Sequence, residues 1–235
     1  MLNPARPSSA ATWNCTPEVL PAFARFEYDD AVVLKLEQCA IGIRVHSGWG
    51  AVVAVSGEAN NLDVIVRRRI EIIDPKTPGA FQPYHFAQDL ELPAAEKHIA
   101  KSAAESLRLA AAALQALVDE LRAHAYRVQA AAILLSSARP LPELRMILAS
   151  HPMIHTAEGE FFRQAFREAC AGLKISVTGI RERDLDVRAN DTLGRHAALV
   201  KKKIASAGKI FGAPWTTDQK AAALAAALAL VDHSL

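Results

Sequence analysis

The chain carries 235 residues, 27 Lys and Arg against 25 Asp and Glu, and 51% hydrophobic residues. A chain of this length buries roughly 70% of its unfolded surface, so its core needs neither disulfides nor a structural metal. The three cysteines, Cys15, Cys39 and Cys170, stand too far apart for a disulfide framework or a CxxC zinc site, and a formal net charge of +2 does not by itself mark a nucleic-acid binder.

Residues 1–30 hold Pro, Ser and Thr without helical or alternating periodicity and are expected to form an irregular N-terminal extension. Residues 31–235 read as a single domain. Its first part, AVVLKLEQCAIGIRV, GWGAVVAVSG and LDVIVRRRIEIID, gives three β-branched runs separated by the turn signals HSG and GEANN. The third run alternates poorly and is expected near a sheet edge. The stretch 72–93 contains Pro75, Pro78, Pro83 and Pro93 and predicts a long irregular connection. Apolar residues spaced by three or four, from Ile99 through Ala103, Leu107, Ala110, Leu114 and Leu117 to Leu121, predict one long helix over 94–125.

RVQAAAILLSS then predicts a strand buried on both faces, stopped by Pro140 and Pro142. In 151–173, Thr156 is the candidate N-cap, Glu158 and Glu160 fall in the expected first turn, and Phe162, Ala165, Phe166 and Ala169 form the buried stripe. KISVTGI predicts a fifth strand, followed by helices over 191–209 and 217–231. No segment is apolar enough to span a membrane and no signal-like block opens the chain, so a cytoplasmic protein with no membrane partner is expected. Hairpin strands first and crossover helices later imply an α/β fold: a mixed sheet of three antiparallel strands and then two parallel ones, with helices on both faces.

GIRVHSGWGAVV (42–53) and TTDQKAAALAAALALVDH (216–233) resemble the first strand–turn and the last helix of the ribonuclease H-like superfamily, within it the RuvC-type Holliday-junction resolvases. The similarity in element order extends over about residues 38–232. It implies a ribonuclease H-like domain and a nucleic-acid partner, DNA or RNA. It also implies a divalent-metal centre, in which four carboxylates hold two Mg²⁺ or Mn²⁺ ions for phosphodiester hydrolysis. The positions that should carry those acids are Arg44 in the first strand, Ser136 or Ser137 at the end of the fourth, and Asp218 with Ala221 or Ala222 in the last helix. Three of the four acids are missing. The resemblance thus implies the scaffold with a degenerate nuclease site.

Several other polar residues are expected on the same rim, at the carboxyl ends of the parallel strands. His155, Glu158, Glu160 and Asp218 are the candidate catalytic or metal-ligating set, with His151 four residues before His155. Arg44, His46, His85, Ser136 and Lys220 are candidate ligand-binding residues. Each has a structural alternative: Asp218 and the two glutamates as first-turn acids favoured by helix dipoles, Arg44 as half of an ion pair, His46 and His85 as turn and loop residues. Arg195, Lys201, Lys202, Lys203 and Lys209 form a basic stripe that either follows phosphates or is a solvated helix face. Arg67, Arg68 and Arg69 straddle both faces of their strand. There is no P-loop.

Three readings follow. One is a nucleic-acid-associated protein whose nuclease site is lost, binding through the basic stripe and Arg44. Another is a hydrolase with a rebuilt site, in which His155 or His46 is base or ligand, Glu158 or Glu160 is acid or ligand, and Arg44 and Lys220 hold an anion. The third is a non-catalytic interaction subunit whose apolar helices pair with a partner or a second copy. The hydrolase reading requires His155, Glu158 and Asp218 to converge.

Overall fold

The computed structural model describes residues 36–136 and 140–234. The N-terminal extension, the start of the first β-branched run and Ser137 lie outside them. Three hairpin-connected strands come first: β1 (Glu37–His46), β2 (Trp49–Ser56) and β3 (Asp63–Glu71). Gly48, at φ +81°, makes the first turn, where a side chain would also strike Ile73. The connection after β3 holds a one-turn helix α1 (Pro83–Ala87) and leads into α2 (Leu92–Ala123). Pro83 and Pro93 each sit in a helix's first turn, where a missing N–H costs nothing.

β4 (Tyr126–Leu135), α3 (Leu144–Leu148), α4 (His151–Gly172) and β5 (Ser176–Arg181) follow, then α5 (Leu185–Leu193), α6 (Ala197–Ser206), α7 (Gly208–Phe211) and α8 (Thr217–Ser234). The strand order is β3-β2-β1-β4-β5. β2 runs antiparallel to both its neighbours, while β1, β4 and β5 are mutually parallel. With helices on both faces, this is the expected mixed α/β sheet, and β3 takes the expected edge.

Side-chain alternation divides the sheet between two helical layers. Ala40, Val53, Val55, Ala130, Ala132 and Leu134 face α8, whose residues Ala222–Leu230 are all buried. Small side chains let this helix lie almost on the strands: a Cβ at Gly42 would fall 1.8 Å from the Ala222 carbonyl oxygen. The opposite face takes α2 and α4. There a Cβ at Gly50 would stand 2.8 Å from Phe166 of α4, and Leu114, Leu121, Phe162 and Phe166 are fully buried. Cys39 and Cys170 are free thiols, and burial pushes each up to about 12.

Three element expectations change. α2 has 32 residues, about 48 Å at 1.5 Å per residue, against about 33 Å for a ten-residue strand. Its first half therefore runs beyond the sheet, which leaves Ala103 exposed and Ile99 and Leu107 half-buried. α4 begins at His151 with Pro152 in its first turn, so Thr156 is not the N-cap; its hydroxyl donates to the Pro152 carbonyl at 3.0 Å. The helix expected over 191–209 is broken at Gly194, where φ is +52°. No described helix is long and apolar enough to cross a membrane.

Candidate functional site

Arg44 stands two residues before the end of β1, on the face that Ala40 and Gly42 turn to α8. α8 starts where the Gln219 side chain accepts the Thr216 N–H at 2.7 Å, which places Asp218 in its first turn. Glu182 begins the 3-10 turn directly after β5. These three residues close into a clasp. Arg44 donates to both carboxylate oxygens of Glu182, at 2.9 and 3.1 Å, and its remaining terminal nitrogen pairs with Asp218 Oδ1. The second Asp218 oxygen lies 3.0 Å from His46 Nε2.

The polar line continues along the rim. His46 stacks on Trp49, with centroids 4.2 Å apart and planes at 12°, and Arg69 lies over the far side of that system, 3.5 Å from the Trp49 centroid. The His46 imidazole titrates below its usual 6.5: burial comes first, then repulsion by Arg44 and Arg69, partly opposed by Glu182. The Asp218 carboxylate accepts, so His46 Nε2 is the donor between them.

A hard divalent cation does not fit this arrangement. It needs several oxygen ligands, with carboxylates among them, whereas both carboxylates here are committed to a guanidinium. Ser136 offers no carboxylate at the end of β4, and Ala222 is buried beneath the Gly42 contact. Beside the clasp is a cleft of about 340 Å³ lined by Arg44, Glu182, Asp186, Lys201, Thr217 and Lys220 among others. Its cations and acids alternate.

The remaining candidates do not gather at Arg44. α4 lies on the opposite sheet face from α8, so His155 and Glu158 are separated from Asp218, and the convergence required of a rebuilt His/Glu/Asp hydrolase site is not found. Glu158 is buried and accepts the backbone N–H groups of Tyr84 and His85, each at 3.0 Å. His155 meets His151 and His85. Glu160 pairs along its own helix with the buried Arg163 at 3.0 Å and with Arg167 at 3.2 Å. The basic stripe is also divided. Lys201 pairs with Asp186 at 2.7 Å, and Lys203 reaches Asn61 at 2.8 Å and Asp63 at 3.5 Å. Arg195 is exposed beside His196. Lys202 and Lys209 are exposed, with no ion pair to another described residue.

Two structures of RuvC from Thermus thermophilus are among the solved structures that align with this chain. RuvC from Thermus thermophilus in complex with a Holliday junction substrate aligns with a TM-score of 0.46 at 11% identity, over 81% of this chain and 91% of that one. A second Thermus thermophilus RuvC structure aligns with a TM-score of 0.44 at 13% identity, over 81% and 92%. No protein-family model matches the chain, and no curated protein sequence does.

Glu182 and Trp49 are not among the residues expected at the site, and Arg69 is expected only as part of the Arg67–Arg69 cluster. Glu182 carried a usable signal, an acid immediately after a parallel strand, where α/β sites collect. Arg69 carried a weaker one. Its neighbours are engaged elsewhere: Arg68, on the other face, reaches Glu120 of α2 at 2.5 Å, and Arg67, on the same face, donates to the Phe211 and Pro214 carbonyls at 2.9 and 2.7 Å.

Proposed function

We propose that the protein binds nucleic acid on a resolvase-type scaffold and does not cut it. The observation that carries this reading is the Arg44 clasp. At the rim position where the resemblance implies a carboxylate and a metal ion, the chain puts a guanidinium held by Glu182 and Asp218. A phosphate approaching that rim meets a guanidinium whose charge Glu182 and Asp218 already take up, so the clasp supplies no metal-activated water and the attraction comes from the cations around it. Next to it stand Trp49, flanked by His46 and by Arg69, which also pairs with Glu71 at 2.5 Å, and the Lys220 ammonium at the cleft. Further along α6 and α7, Lys202 and Lys209, exposed and without an ion pair to another described residue, can neutralise backbone phosphates, as can the exposed Arg195. Lys201 and Lys203, tied to acids, add little, so the interface draws on fewer cations than the sequence stripe suggested.

The test is fluorescence-anisotropy binding of a labelled four-way junction and a duplex to the full chain over a salt series. Affinity is expected to fall steeply with salt. The double substitution Lys202→Glu and Lys209→Glu is expected to weaken binding at least about tenfold and to flatten the salt slope by roughly two. Indifference to that reversal, or no binding at the lowest salt, would overturn the proposal.

A further inference from the structure

On the sheet face away from the Arg44 clasp, three imidazoles come together. His151 and His155 stand one turn apart on α4, with Nε2 atoms 3.0 Å from each other. His85, on α1, brings its ring centroid to 5.2 Å from that of His151 and 4.8 Å from that of His155. One ligand nitrogen from each of the three lies within 4.8 Å of the other two. The support behind them is buried. Glu158, three residues after His155, is 5% exposed, and its Oε1 accepts the N–H groups of Tyr84 and His85, which pins α1 to α4. His85 Nδ1 is buried 3.1 Å from that same oxygen but makes no hydrogen bond with it.

We propose that His85, His151 and His155 form a binding site for a borderline transition-metal dication, represented by Zn²⁺. Neutral imidazoles suit Zn²⁺ and Co²⁺, whereas Mg²⁺ and Ca²⁺ require oxygen ligands that this cluster lacks. Tetrahedral Zn²⁺ with bonds of about 2.0–2.1 Å keeps its ligand nitrogens about 3.3 Å apart. The two α4 nitrogens already stand at nearly that separation. His151 and His155 are exposed, so the approach of their nitrogens to His85 needs rotamer adjustment and no repacking of the core. Glu158 is the positioning residue: it fixes the backbone that carries His85, and its carboxylate supplies the negative charge next to the cation. Three protein ligands leave a fourth position open, as in zinc sites that hold a water or an anion.

The experiment is titration of metal-free full-length protein with Co²⁺ followed by visible absorption, then displacement by Zn²⁺ and metal analysis after gel filtration. One equivalent is expected, with the ligand-field bands of a four- or five-coordinate nitrogen site lost on Zn²⁺ addition. A hundredfold excess of Mg²⁺ should change nothing. His151→Asn and His155→Asn alter exposed side chains and should keep the metal-free Tm of the parent while abolishing the bands. Glu158→Gln should bind about 10–100-fold more weakly. No stoichiometric uptake at micromolar metal, full uptake by His155→Asn, or equal competition by Mg²⁺ would each overturn the site.

Discussion

At the scale of single residues, the behaviour of the rim depends on one guanidinium. Arg44, about a quarter exposed, lies between two carboxylates that would repel each other without it. Arg44→Ala is therefore expected to cost more than an isolated surface pair, on the order of 1–2 kcal/mol in urea unfolding at pH 7. Arg44→Asp should do something different. It would put a third acid beside Glu182 and Asp218, so millimolar Mn²⁺ should raise the Tm of this variant and leave that of the parent unchanged. No Mn²⁺ response in the variant would mean that the three positions do not converge as described. His46 gives a pH signature. Its folded-state pKa lies below the usual 6.5, so below that value the unfolded chain takes up a proton that the native chain resists. Stability should therefore fall as pH drops from about 6.5 through the lowered value, and the loss should be shallower in His46→Gln. Parallel pH profiles for the two proteins would remove His46 from the account.

At the scale of elements, the close approach of α8 to β1 depends on Gly42. Adding one methyl group there would press on the Ala222 carbonyl, which cannot rotate away because α8 is buried along Ala222–Leu230. Gly42→Ala should destabilise the domain by about 3 kcal/mol or more, measured by denaturant unfolding; a loss under 1 kcal/mol would contradict the packing. The element order was readable because β-branched runs, alanine-rich helical spacing and turn residues agree with one another along the chain. α4 was harder. Its first turn carries Pro152, which is compatible with a helix start, while Thr156 five residues into the helix mimics a cap. Misplacing that start by one turn or more hid the helical pairing of His151 with His155. Gly194, by contrast, was a visible break that the periodicity of its flanks obscured.

At the scale of the whole molecule, the sheet and its two helical layers were legible, but the pairings that define the sites were only partly so. Arg44 and Glu182 are 138 positions apart, and His46 and Asp218 are 172 apart. No local pattern announces such contacts; only strand order and the facing of each residue bring them together. Those same facts separate the candidates into a guanidinium clasp on one face and a histidine cluster on the other, where residue types alone suggested a single mixed site. On the proposed function, the Arg44 clasp leaves a scaffold that binds a junction without cutting it. The most direct measurement is incubation of the full chain with a labelled four-way junction at low salt, with Mg²⁺ and then Mn²⁺, read on native and denaturing gels together. A retarded junction whose strands stay intact is the predicted result. Nicked strands that require the metal, or a junction that migrates as if the protein were absent, would contradict it.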